Sequence, residues 1–265
     1  MNFGMFHNGP VTYITELKDP NMFLTAGDDG KLFIWDTQNK KMISKLQMDC
    51  HVTCGAIDKD GSYVILGTKK GTIRILDISS VTNVRIVMIK KINLKKPTIK
   101  VTISHDGTMV AILNAHSKRV LLMSAKTEDN FHFYGFAKLP GVMLDMCWSQ
   151  TVRPPVNITQ NNKILECVIK NGLLVAIVPP NNVKICNQIN ELSSDDVLMF
   201  GRKIDFDITQ ITVCQKSGDV YTVGDDRIVK KYKQPEEYLP KMDMRVKVPI
   251  NPLEEFEGHD LLTNC

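Results

Sequence analysis

Apolar and polar positions along the chain alternate in short runs. Residues 23–26 and 32–35 are apolar, and between them stands Gly27-Asp28-Asp29-Gly30, a turn that sets the register of a β-hairpin. The same design returns later: Gly71 follows Gly30, and Asp77 follows Asp36, by 41 positions. Strands are predicted at 11–14, 22–26, 32–36 and 42–46, then at 53–57, 63–67, 72–77 and 84–92. A third set begins at 98–103 and continues through 109–113 and 119–124, with Ser104-His105-Asp106-Gly107 as a turn that tolerates a left-handed residue.

From residue 142 the pattern blurs. Runs at 143–148, 165–169, 173–178 and 183–187 make a fourth set, with Pro179-Pro180 unable to sit in a central strand. The fifth is clear again: 208–214, 220–223 and 228–233, with Gly224-Asp225-Asp226 matching Gly27-Asp28-Asp29, and an outer strand at 244–248. Four short strands per unit of about forty residues is the period of a β-propeller blade. The expected fold is all-β, about five four-stranded blades at 6–52, 53–97, 98–141, 142–192 and 206–258. Residues 259–265, with His259 after Gly258, read as the approach to a further blade. The count predicts an incomplete propeller or part of a larger one; pairing of the last residues into the first blade is the alternative.

Composition narrows the function without naming it. Of 265 residues, 43% are hydrophobic and 23% charged, as in a soluble globular chain, and the formal charge of +4 is too small to imply a nucleic-acid partner. The seven cysteines are scattered without a CxxC pair, as a reducing compartment permits, which makes most of them small buried hydrophobes. Cys50, His51 and Cys54 lack the second ligand pair of a zinc site. Asn157-Ile158-Thr159 is a formal glycosylation acceptor, but no signal peptide or membrane-spanning run accompanies it.

Catalytic patterns are missing. No nucleophile elbow, phosphate loop or His-Glu-x-x-His occurs. The Asp28-Asp29 and Asp225-Asp226 pairs are explained by turn chemistry, and His105 and His116 lack an oriented acid or thiol partner. No cofactor, metal or small-molecule substrate is implied, and the chain is read as not an enzyme. The most distinctive charge feature is basic: Arg85, Lys90, Lys91, Lys95, Lys96 and Lys100. Lys90, Lys91, Lys95 and Lys96 are candidate contacts for an acidic partner such as a tubulin tail. Equally, lysines alternating with Val87 and Ile89 suit an outer strand protected against edge pairing.

On Thr25, Ala26, Asp29, Trp35, Asp36 and the histidines at 7 and 259, the chain resembles the WD-repeat β-propeller family. In that family a buried hydrogen-bond chain joins a Trp indole, a Ser or Thr hydroxyl, a His ring and a turn Asp. The resemblance puts Trp35, Thr25, His7 and Asp29 in those places, and Leu76, Met123 and Tyr232 where other units would carry the Trp. The looser repeats also look like the long WD-repeat proteins of cilia and flagella. That resemblance implies a scaffold in an axonemal assembly, with loops such as 125–141, 149–163 and 234–257 as binding surface. A nuclear or ribonucleoprotein scaffold is the alternative, and a propeller enzyme a third.

Overall fold

The computed structural model describes residues 7–92, 96–150, 163–170, 172–179, 189–193, 197–203, 208–214, 216–233 and 254–256. Among these residues the regular structure is all β, in five antiparallel four-stranded sheets. The first sheet runs β1 (Val11–Glu16), β2 (Met22–Gly27), β3 (Lys31–Asp36) and β4 (Lys41–Gln47). The second runs β5 (Val52–Ile57), β6 (Tyr63–Thr68), β7 (Thr72–Asp77) and β8 (Arg85–Lys91). The third runs β9 (Thr98–Ile103), β10 (Met109–Asn114), β11 (Arg119–Ser124) and β12 (Phe133–Lys138). The three sheets span residues 11–47, 52–91 and 98–138. Part of the loop expected at 125–141 is therefore strand.

The fourth and fifth sheets differ from expectation in their outer strands. The fourth is β13 (Met143–Gln150), β14 (Lys163–Ile169), β15 (Leu173–Val178) and β16 (Leu198–Lys203), so it runs past the limit of 192. The apolar run at 183–187, expected to be this strand, lies outside the described residues; β15 finds its partner further along, with Val178 opposite Leu198 and Leu173 opposite Lys203. The fifth is β17 (Ile208–Val213), β18 (Val220–Gly224), β19 (Val229–Tyr232) and β20 (Glu254–Phe256). Residues 254–256, inside the expected fifth blade but not named as its outer strand, pair with β19 and complete this sheet, with Phe256 opposite Val229. The runs at 244–248 and 259–265 lie outside the described residues.

The chain forms two compact units, one of residues 1–103 and 110–115, the other of residues 104–109 and 116–265. In the first, Leu24, Leu32 and Ile34 of one sheet pack with Val64, Leu66 and Leu76 of the next. Hydroxyls lock the inner strands together. Thr12 donates to the Val52 carbonyl at 2.8 Å, and Thr53, its counterpart one sheet on, donates to the Thr98 carbonyl at 2.5 Å. Gly55 is small because Tyr13 lies against it: a Cβ there would stand 2.7 Å from the Tyr13 ring and 2.8 Å from Leu66. In the second unit Val168 and Leu174 pack with Ile208, Val220 and Tyr232, and the Asp145 carboxylate accepts from the Ile211 amide at 3.0 Å.

Every inner strand bulges at its second residue. The pairing skips Thr12, Thr53, Ile99, Leu144 and Thr209 in turn. Outer strands β4, β8 and β12 bulge as well, at Ile43, Val87 and Tyr134. Each bulge adds twist and re-aims the side chains that follow it. The turn glycines at the 41-residue period are both left-handed, Gly30 at φ 72° and Gly71 at φ 74°, which explains why glycine recurs there.

Candidate functional site

The β2–β3 hairpin and the segment before β1 place four polar side chains in one buried line. Trp35 and Thr25 lie across adjacent strands, and the indole N–H, which can only donate, reaches the Thr25 hydroxyl at 2.8 Å. The His7 Nε2 stands 3.0 Å from that hydroxyl, and its Nδ1 stands 2.9 Å from the Asp29 carboxylate. One assignment satisfies every member: the hydroxyl accepts from the indole and donates to Nε2, while Nδ1–H donates to Asp29. Asp29 also accepts from the amides of Asn8 at 2.7 Å and Lys31 at 3.0 Å. Burial pushes the Asp29 carboxyl up, but the His7 ring N–H and these two amides outweigh it and hold it below the usual carboxylate range. The Phe33 ring edge meets the imidazole at 4.7 Å, and Trp35 stacks with Phe23 at 6.1 Å, sealing the line.

The second sheet fills the same places with different chemistry. Forty-one residues after His7, Thr25, Asp29 and Trp35 stand Met48, Leu66, Lys70 and Leu76, and the Met and both Leu are buried. Arg74 takes the place of Phe33 and is also buried. Its Nη2 donates to Asp49 at 2.9 Å, and Asp49 is in turn the counterpart of Asn8. In the fifth sheet Thr222, Asp226 and Tyr232 stand where Thr25, Asp29 and Trp35 do. There Asp226 faces Lys230 at 2.7 Å and accepts from the Ile228 amide at 3.2 Å, a turn role.

Two ionic contacts that hold buried cations were not singled out from the sequence. One is Arg74 with Asp49, signalled only by an Arg in an otherwise apolar strand. The other joins Lys163, mostly buried, to Asp106 at 2.8 Å and Thr108 at 2.6 Å, 57 and 55 residues away in the chain. Burial pushes Asp106 up, but Lys163, Ser104 and Thr108 together hold it well below the usual carboxylate range. Such long separations leave no local signal.

The other candidates separate. His105 and His116 stand at opposite ends of β10, and His116 is a left-handed turn residue at φ 52°. Cys50 is buried in the first unit's core, the His51 ring meets the Asp28 carbonyl, and burial pushes the Cys54 thiol up to about 11. Among the described residues no group of three or more His, Cys, Asp or Glu is arranged to hold a metal ion.

The basic run gathers more tightly than its spacing suggests. Lys91 pairs across from Thr72, and the Lys96 backbone lies against Gly71, so both stand at the β6–β7 turn with the exposed Lys69 and Lys70. Lys95 lies outside the described residues. Lys90 is half-buried, and that burial lowers its pKa. The expected protective alternation is inverted: Val87 and Ile89 are the exposed residues, at 41% and 49%. Exposure alternates without a break along β8, so Val87, Ile89 and Lys91 face outward while Met88 and Lys90 are half-buried.

The model for the WD domain, G-beta repeat, matches residues 5–36, the segment that holds the whole buried line. The bovine protein NEDD1 is 22% identical over 235 residues, 87% of this chain and 34% of the relative, so the chain spans about a third of that protein's length. The β-propeller domain of Cps50 (Swd1) from Myceliophteria thermophila superposes with a TM-score of 0.64 at 13% identity, covering 97% of this chain and 74% of that one. The fold is thus of the WD40 β-propeller type, and the WD-repeat model matches in sequence across β1 to β3 of the first sheet. Among the described residues no helix is long and apolar enough to cross a membrane.

Proposed function

We propose that this WD40-type chain is a non-enzymatic protein-interaction scaffold in a ciliary or flagellar axonemal assembly, and that its basic turn region contacts an acidic partner. WD40 propellers generally bind other proteins, and stiff sheets hold exposed segments at fixed spacing, so a partner binds with little ordering cost. One observation carries the non-enzymatic part. The charged groups Asp29, Arg74 and Lys163 are each held by a neighbour within the fold, by His7, Asp49 and Asp106 in turn.

The cytoskeletal part rests on the clustering of Lys69, Lys70, Lys91 and Lys96 at one turn, a field suited to an acidic tail. Co-sedimentation of the full chain with microtubules across a salt series tests it. Pelleting should fall as salt rises, and should fall further when Lys90, Lys91, Lys95 and Lys96 are changed together to Glu. Pelleting that ignores both changes, or none at low salt, overturns the cytoskeletal reading.

A further inference from the structure

We infer that the outer edge of β8 is a docking site for an extended peptide segment, apolar at its centre and acidic at one end, which joins the second sheet as an added strand. This rests on the scaffold reading and gives it a place and a partner chemistry.

The outer strands β4 and β8 hold equivalent positions, since Phe33 faces Lys45 as Arg74 faces Ile89. In β4 the exposed residue is Lys45 and the next, Leu46, is half-buried. In β8 the order is reversed: Ile89 is 49% exposed and Lys90 is half-buried. An isoleucine turned outward leaves apolar area in water. Together with Val87 it leaves an apolar strip on a strand whose outer side has, among the described residues, no neighbour in its sheet.

The molecule already uses such an edge. On β12, the outer strand of the third sheet, the extended segment 190–192 lies alongside in parallel. The Phe136 amide donates to the Asn190 carbonyl at 2.9 Å, and the Leu192 amide donates back to the Phe136 carbonyl at 2.9 Å. Gly135 permits the close approach, since a Cβ there would stand 2.7 Å from the Asn190 oxygen. Strand addition at an outer edge is therefore a contact this fold makes, and β8 offers its backbone in the same way.

Charge selects the occupant. Residues 78–105 contain six Lys or Arg and no Asp or Glu, and β8 ends beside the lysines of the β6–β7 turn. A second copy of the same edge would set like charges against one another, which disfavours self-pairing. An acidic segment meets complementary charge at the turn and apolar contact along Val87 and Ile89.

The probe is a fluorescein-labelled peptide, Thr-Val-Thr-Ile-Thr-Glu-Glu-Glu, titrated with the full chain and followed by anisotropy. Two comparison peptides carry Lys in place of Glu, or Pro in place of the central Thr. Saturable binding is expected, with slowed amide exchange across residues 85–91. Ile89→Lys, which restores the polarity found in β4, and the double change Lys69→Glu with Lys70→Glu should each weaken it about tenfold. Circular dichroism checks that both variants remain folded, and Lys91→Glu is a further test at an exposed position. The proline peptide should not bind. Overturning results are no saturation at millimolar peptide, equal binding of the lysine or proline peptide, or unchanged affinity for Ile89→Lys. If the peptide fails while microtubule pelleting persists, the strand site falls and the cytoskeletal reading stands; the reverse outcome separates them the other way.

Discussion

The Thr25 hydroxyl is held between an indole that must donate and an imidazole nitrogen that must accept. Valine has nearly the same shape and neither capacity. Thr25→Val is therefore expected to remove both of these hydrogen bonds and to cost about 2 kcal/mol, read as a shift of the urea midpoint. The line also sets a pH dependence. The Asp29 carboxyl is held below its ordinary value in the folded chain, so its contribution is complete above the unfolded value of about 4 and is lost as pH falls through the folded one. Asp29→Asn should flatten the acid side of a stability-against-pH curve and leave the slope near neutrality alone. These four residues were legible in the sequence because the motif is local to residues 7–36. Lys163 was not, because its partners lie more than fifty residues away and a lysine at the start of a strand looks solvated. Its burial makes Asp106→Asn costly, about 2 kcal/mol in the same measurement, since the ammonium loses its counter-charge without regaining water. Lys163→Met should cost less, and that difference checks the origin of the effect.

At the scale of the strand and turn, the chain was readable wherever both faces of a strand are buried. β2, β3, β6, β7, β10 and β15 are such strands, and each was found near its observed limits. Outer strands have one half-covered face and a weak pattern. β20 is Glu-Glu-Phe, which carries no alternation, and β16 follows a long connection that contains a more hydrophobic run at 183–187. Bulges escaped entirely, because they change register without changing composition. The turn glycines give the clearest element-level test. Gly30→Ala must place a Cβ at φ 72° and 2.8 Å from the carbonyls of both Met48 and Cys50. The loss should be about 2 kcal/mol, measured by thermal unfolding, and an exposed Gly-free turn position such as Lys59→Ala should show almost none.

For the molecule as a whole, the five-sheet organisation followed from the period of about forty. The basic patch was only half legible: the lysines are visible in the sequence, but their gathering at the β6–β7 turn needs the fold. Thr25 and Asp106 belong to different compact units and share no partner. Combining Thr25→Val with Asp106→Asn is therefore expected to give a loss equal to the sum of the two within about 0.5 kcal/mol, measured by urea titration.

The exchange of His7, Thr25 and Trp35 for Met48, Leu66 and Leu76 between the first two sheets has a consequence for mutational tolerance. Directional bonding admits few solutions, whereas an oily interior asks only for volume. A randomised library at 48, 66 and 76 should yield many folded members of mixed aliphatic content, while one at 7, 25 and 35 should return little beyond the parent.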